Sequence, residues 1–210
     1  MSARPTRAVS VGLLTCALVL TGCSKDPAGG QASPSGAGQA TSATSTTPSA
    51  GASGGSGSAT ATGDEVRSRS GAFTVVPPEG WTEATDKADG VANIDLVLLS
   101  SKKVGSFANN LVVLTSPGDQ SVLEEEMTKG RDQMTAAGRT VSTAPARSVA
   151  GAPAAGFTTT FQRDGVKVLA RSYGVQRDGK VYLLTLSSSQ DDAEHALAEF
   201  DELLSTWAWT

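Results

Sequence analysis

The chain has 210 residues, with 21 acidic against 17 basic side chains and a net charge of −4. That balance excludes the basic footprint a nucleic-acid partner needs, and it opposes adhesion to an anionic membrane by charge. Two cysteines and a single histidine, His195, give no disulfide framework and no Cys/His set for a zinc site.

Arg4 and Arg7 open the chain and a mostly apolar run follows over 8–20. This is a signal-peptide pattern, and the run is too short to span a bilayer as a helix. It ends in Leu20-Thr21-Gly22-Cys23. The tetrapeptide resembles the lipobox of bacterial lipoproteins, where small residues precede a cysteine that takes a diacylglyceryl group before a peptidase cuts on its amino side. The expectation is a leader over 1–22 and lipidation of Cys23, placing the chain on the outer face of the cytoplasmic membrane and reaching into the cell wall. Two or more acyl chains matter, because one alone anchors only marginally. Cys16 leaves with the leader, so the mature chain would carry no free thiol and no disulfide.

Residues 24–63 are Ala, Gly, Ser, Thr, Pro and Gln, apart from Lys25 and Asp26. Such a tract buries too little apolar surface to offset its ordering entropy. It reads as a disordered tether with an r.m.s. span of roughly 35 Å.

From residue 64 charges, aromatics and alternating apolar positions appear together, and 64–210 has the size of one domain. Residues 72–76 read as a strand stopped by Pro77-Pro78, with Gly80-Trp81 beyond it. Residues 94–99 read as a second strand and 110–115 as a third, apolar on both faces and therefore central. Lys102, Lys103 and Gly105 fall in the connection. Ser121 with Glu124 makes a capping-box pattern, Leu123, Met127, Met134 and Ala137 keep helical spacing, and Gly138 supplies a stop. A short segment over 141–149 leads to a turn at Gly151-Ala152-Pro153. Three strands then form a meander over 155–188, joined by the same tetrapeptide twice, with Asp164-Gly165 and Asp178-Gly179 as hairpin turns. A last helix starts after Ser189, with Asp192 at capping-box spacing and an apolar stripe from Ala193 through Leu197, Phe200, Leu203 and Leu204 to Trp207. If the end is extended, Trp207 and Trp209 point the same way.

The chemical inventory is sparse. His195 sits among Asp191, Asp192, Glu194 and Glu199 on a solvated helix face, and no Gly-x-Ser-x-Gly elbow accompanies it. The run Glu124 to Glu126 complements the helix dipole. Asp86, Asp89, Asp95 and Asp119 lie near strand ends, with nothing to select a catalytic pair. No catalytic residue, metal ligand or cofactor is therefore assigned. Four residues are candidates for lining a binding groove: Trp81 and Trp209 as aromatics, Arg171 as an anion partner, and Tyr173 beside it on one strand face.

The order of elements, with Val76-Pro77-Pro78-Glu79-Gly80-Trp81 and Gly151-Ala152-Pro153-Ala154, resembles the LpqN-type lipoproteins of actinobacteria over residues 72–209. The resemblance implies an α+β, PsbP-like α/β/α sandwich. It also implies a non-enzymatic binding or accessory role at the cell envelope, some members handling envelope lipids. The expectation is an antiparallel sheet with helices packed on it, acting as a monomer on an envelope lipid, a glycan or a membrane protein. One alternative is an assembly factor docking on a membrane transporter or cell-wall enzyme. Another is a carboxylate-dependent hydrolase.

Overall fold

The computed structural model of the chain describes residues 64–105 and 107–210; the expected leader, Cys23 and the low-complexity tract lie outside the described residues. The elements run β1 (Val66–Arg67), β2 (Phe73–Val75), β3 (Trp81–Glu83), a 3-10 turn (Thr85–Ala88), β4 (Ile94–Val104), β5 (Phe107–Pro117) and α1 (Gln120–Ala136). They continue with β6 (Thr140–Thr143), β7 (Arg147–Val149), β8 (Ala152–Arg163), β9 (Val166–Arg177), β10 (Lys180–Ser189), a second 3-10 turn (Gln190–Asp192), α2 (Ala193–Ser205) and β11 (Ala208–Trp209).

Eight strands form one sheet in the order β3-β4-β5-β10-β9-β8-β6, with β7 also on β8, and β1-β2-β11 form a second of three strands. All the pairings are antiparallel. The expected central strand is β5, and the meander is β8-β9-β10. Asp164 and Asp178 have φ of 48° and 49°, and the glycines after them 80° and 72°. Both turn positions are thus left-handed, which matches the twist of the flanking strands.

Successive strand residues alternate between faces, so Tyr182, Leu184 and Leu186 of β10 face one way and Val181 and Leu183 the other. The first face packs with Leu98, Leu111 and Tyr173 against Phe200, Leu203 and Leu204 of α2 and against Phe73 and Trp207. The second face meets α1 through Leu123, Met127 and Met134, packed with Phe157 and Val181. A smaller cluster of Ala84, Ala88, Ile94, Val97 and Val112 sits at the first 3-10 turn. Gly174 is needed beneath α1, because a Cβ there would collide with Leu123 and Met127.

Several local expectations shift. The cap of α1 is Asp119, not Ser121: its carboxylate accepts from the Ser121 and Val122 N–H groups and the Ser121 hydroxyl, at 2.9, 3.1 and 2.6 Å. The Ser121 hydroxyl, then the Val122 N–H, hold the Asp119 carboxyl below its ordinary value. Any stability this cap adds is therefore present above the ordinary carboxylate range and lost as pH falls through the lowered value. Ser189 caps the 3-10 turn before α2, accepting from the Asp192 N–H at 3.2 Å, while α2 itself begins after Asp192 with no side-chain cap. The Asp192 carboxylate reaches away to the Asn109 amide at 2.6 Å instead of completing a box. The turn before β8 uses Ala150 and Gly151, with φ of 45° and 82°, so Ala152 and Pro153 already belong to the strand. Lys102 and Lys103 extend β4 rather than forming a loop.

Candidate functional site

A concavity with a coherent chemical lining follows β2. Pro77 and Pro78 cannot continue a ladder. The chain reverses in a four-residue turn closed by the Trp81 N–H donating to the Pro78 carbonyl at 3.1 Å. Gly80 occupies the third position with φ +80°, as a type II turn demands. Trp81 and Glu83 then align opposite Ser100 and Leu98 of β4. The result is a cleft of about 590 Å³ lined by Asp64, Val66, Pro77, Pro78, Glu79, Gly80, Trp81 and Glu83.

Among the described residues that lining carries three carboxylates and no cation. Asp64, Glu79 and Glu83 are exposed, whereas Pro77, Pro78 and Trp81 are buried. Glu83 is held in place, one carboxylate oxygen accepting from the Thr85 N–H at 2.6 Å. Trp81 is 8% exposed, and its buried indole N–H has no hydrogen-bond partner among the described residues. The cleft therefore pairs an apolar wall with an acidic rim, which suits a ligand bearing positive charge on an apolar stem.

Gly80 tests this local architecture. A Cβ at this position would sit 2.9 Å from the Ser101 hydroxyl oxygen, in a backbone region that costs alanine about 1–2 kcal/mol. Gly80→Ala is expected to lower stability by about that amount and to broaden the NMR signals of residues 78–83, read from urea unfolding and a proton–nitrogen spectrum.

The four residues singled out as groove candidates do not come together. Trp81 lies in the cleft, on the terminal strand of the sheet, whereas Arg171 and Tyr173 are on β9, four strand spacings away, or roughly 19 Å. Tyr173 is 1% exposed, donates its hydroxyl to the Pro145 carbonyl at 3.0 Å and packs on Phe200. It is a core residue rather than a groove residue, because its strand face is the one α2 covers. Arg171 is half-buried, with its Nε donating to the Thr158 hydroxyl at 3.1 Å. Trp209 is half-buried beneath the Arg177 guanidinium, 5.4 Å from the ring, and its indole N–H donates to the Val149 carbonyl at 3.3 Å. Both are engaged by the fold. Cys23 lies outside the described residues.

His195 is exposed on the acidic face, as expected, and it also meets a lysine. Its Nε2 lies 2.9 Å from the Lys102 ammonium, and its Nδ1 is 3.4 Å from Glu199 and 3.9 Å from Asp192. An ammonium donating to Nε2 leaves the ring proton on Nδ1, toward the acids. Among the described residues no three His, Cys, Asp or Glu side chains converge as a metal site. Reading the sequence missed Asp64, Glu79 and Glu83 as a set; the one local signal was the Pro-Pro-Glu-Gly-Trp turn with acids on either side.

The chain is similar in structure to LpqN of Mycobacterium tuberculosis, described as involved in cell envelope biogenesis, with a TM-score of 0.52 and 10% identity over 70% of this chain and 90% of that one. It is also similar to PsbP (CyanoP) of the cyanobacterium Synechocystis sp. PCC 6803, with a TM-score of 0.49 and 17% identity over 76% of this chain and 98% of that one. The fold is α+β, and it is shared with LpqN. No protein-family model and no curated protein matches the sequence. At such identities the likeness is one of fold, and no ligand residue carries over with it.

Proposed function

We propose that this chain is a lipid-anchored accessory module of the cell envelope that works by binding a partner at the acidic cleft rather than by catalysis. The observation that carries this reading is the cleft itself: a concave site with an apolar wall, a carboxylate rim and a glutamate already held in position by a backbone N–H. The leader ending in Leu20-Thr21-Gly22-Cys23 supports the anchor. The likeness in fold to LpqN, a protein described as involved in cell envelope biogenesis, is consistent with that setting.

The anchor is tested by Cys23→Ser. That variant is expected to remain an uncleaved precursor without lipid and to leave the membrane fraction on mild washing. Normal processing and acylation of the variant, seen by intact mass, would remove the anchor from the reading. Partner binding is tested in intact cells with a photo-crosslinking residue at position 79. One dominant protein adduct is the expected result. Lipid or glycan adducts alone would redirect the reading to those ligands, and no adduct at any cleft position would sink it.

A further inference from the structure

We infer that the occupant of the cleft is an extended, lysine- or arginine-bearing segment of a partner protein, an inference that rests on the reading of the cleft as the binding site. Charge complementarity selects the class. Asp64, Glu79 and Glu83 line the cleft, and among the described residues no basic side chain does. Anionic headgroups and phosphates would meet like charge on every side, whereas an ammonium or guanidinium would meet acceptors.

Two further features favour an extended polypeptide over a small amine. The carboxylates are spread along the opening, with Glu79 at the turn, Glu83 two residues past Trp81, and Asp64 before β1, so several cations at intervals can be matched at once. β3 is the terminal strand of the eight-stranded order, the position at which an extended segment aligns with a sheet. The apolar stems of lysine or arginine suit the Pro77, Pro78 and Val66 surfaces, while their heads reach the rim.

The test uses the full mature chain from Cys23 in detergent. Its probes are an N-acetylated, C-amidated Gly-Lys-Gly-Lys-Gly-Lys peptide, the same peptide with Glu for Lys, and phosphatidylglycerol vesicles. The lysine peptide is expected to bind, with NMR shifts centred on Glu79, Gly80, Trp81 and Glu83, and to weaken as salt is raised, because rim charges are screened. The double variant Glu79→Gln with Glu83→Gln is expected to weaken binding by about tenfold, from two lost rim ion pairs. It should keep the fold, since glutamine still offers an acceptor to the Thr85 N–H. Equal binding of the glutamate peptide, tight binding of the vesicles, or a double variant that binds the lysine peptide as tightly as the parent would each overturn the inference. Protein capture at position 79 in cells together with a failed peptide experiment would leave cleft binding standing and remove only the basic-segment assignment. Failure of both would remove the cleft as the site.

Discussion

Trp207→Ala is expected to lower the unfolding free energy by about 3–5 kcal/mol, a large share of the roughly 5–15 kcal/mol available to a domain of this size. Trp207 is 5% exposed and stacks on Phe73 with centroids 4.0 Å apart and planes 18° from parallel. Its ring also meets Trp209 at 5.4 Å, and Phe73 meets Tyr182 edge-on at 6.1 Å. One side chain thus joins the end of α2, the small sheet and the large sheet. Alanine would leave a void where these three meet, and the surroundings are too constrained to collapse into it: the Thr206 hydroxyl already ties the same corner to the Val76 backbone at 2.9 and 3.2 Å. Trp207→Phe separates packing from hydrogen bonding. The Trp207 indole N–H is buried without a partner, so phenylalanine loses volume but also removes an unpaired donor, and it should cost far less than alanine. Guanidinium unfolding of both variants checks this. Similar losses for the two would mean that the stack on Phe73 contributes little.

The parts of the fold legible in the sequence are those fixed by local chemistry. Asp164-Gly165 and Asp178-Gly179 specify their hairpins because few other pairs accept two left-handed residues in succession. Leu111, Val112 and Val113, apolar on both faces, could only be a central strand. The small sheet was hidden because β1 and β11 have two residues each and Trp209 pairs with Phe73 from the far end of the chain. Asp119 and Ser121 are both good caps, and only the path out of β5 chose between them. Tyr173 reads identically on a strand whether a groove or a helix lies above it. The better clue was Gly156, which sits opposite Tyr173 and whose missing Cβ leaves room for that ring. In the candidate site Trp81 was legible as an aromatic after a turn. The carboxylates were not, since Asp64 joins Glu79 and Glu83 only through the course of β1 and β2.

Asp95→Ala is the second large effect, expected at roughly 3 kcal/mol from stranded donors. Asp95 is 3% exposed, and the register shift between Ile94 and Leu96 marks the irregularity in β4 that holds it. Its carboxylate accepts from the Ser70 N–H at 2.6 Å, the Ser70 hydroxyl at 2.8 Å and the Thr115 hydroxyl at 2.8 Å. Its own carbonyl accepts from the Arg69 N–H at 2.9 Å. Three charge-assisted hydrogen bonds compensate the burial of the carboxylate, and they fasten the β1–β2 loop of the small sheet to β4 and β5 of the large one. Burial, and after it the charge on Asp95, push the Tyr182 phenol above its ordinary value, so the carboxylate is felt in the core next to the aromatic corner. Removing it leaves the Ser70 N–H and both hydroxyls without their acceptor. Asp95→Asn is expected to fall between parent and alanine, since one oxygen can still serve the Ser70 N–H while the hydroxyls turn to accept from the amide. Urea unfolding of Asp95→Ala, Thr115→Ala and the double variant supplies the decisive number. A coupling near 1 kcal/mol or more is expected for groups in direct contact, and strict additivity would show that the bond between them does not hold the two sheets together.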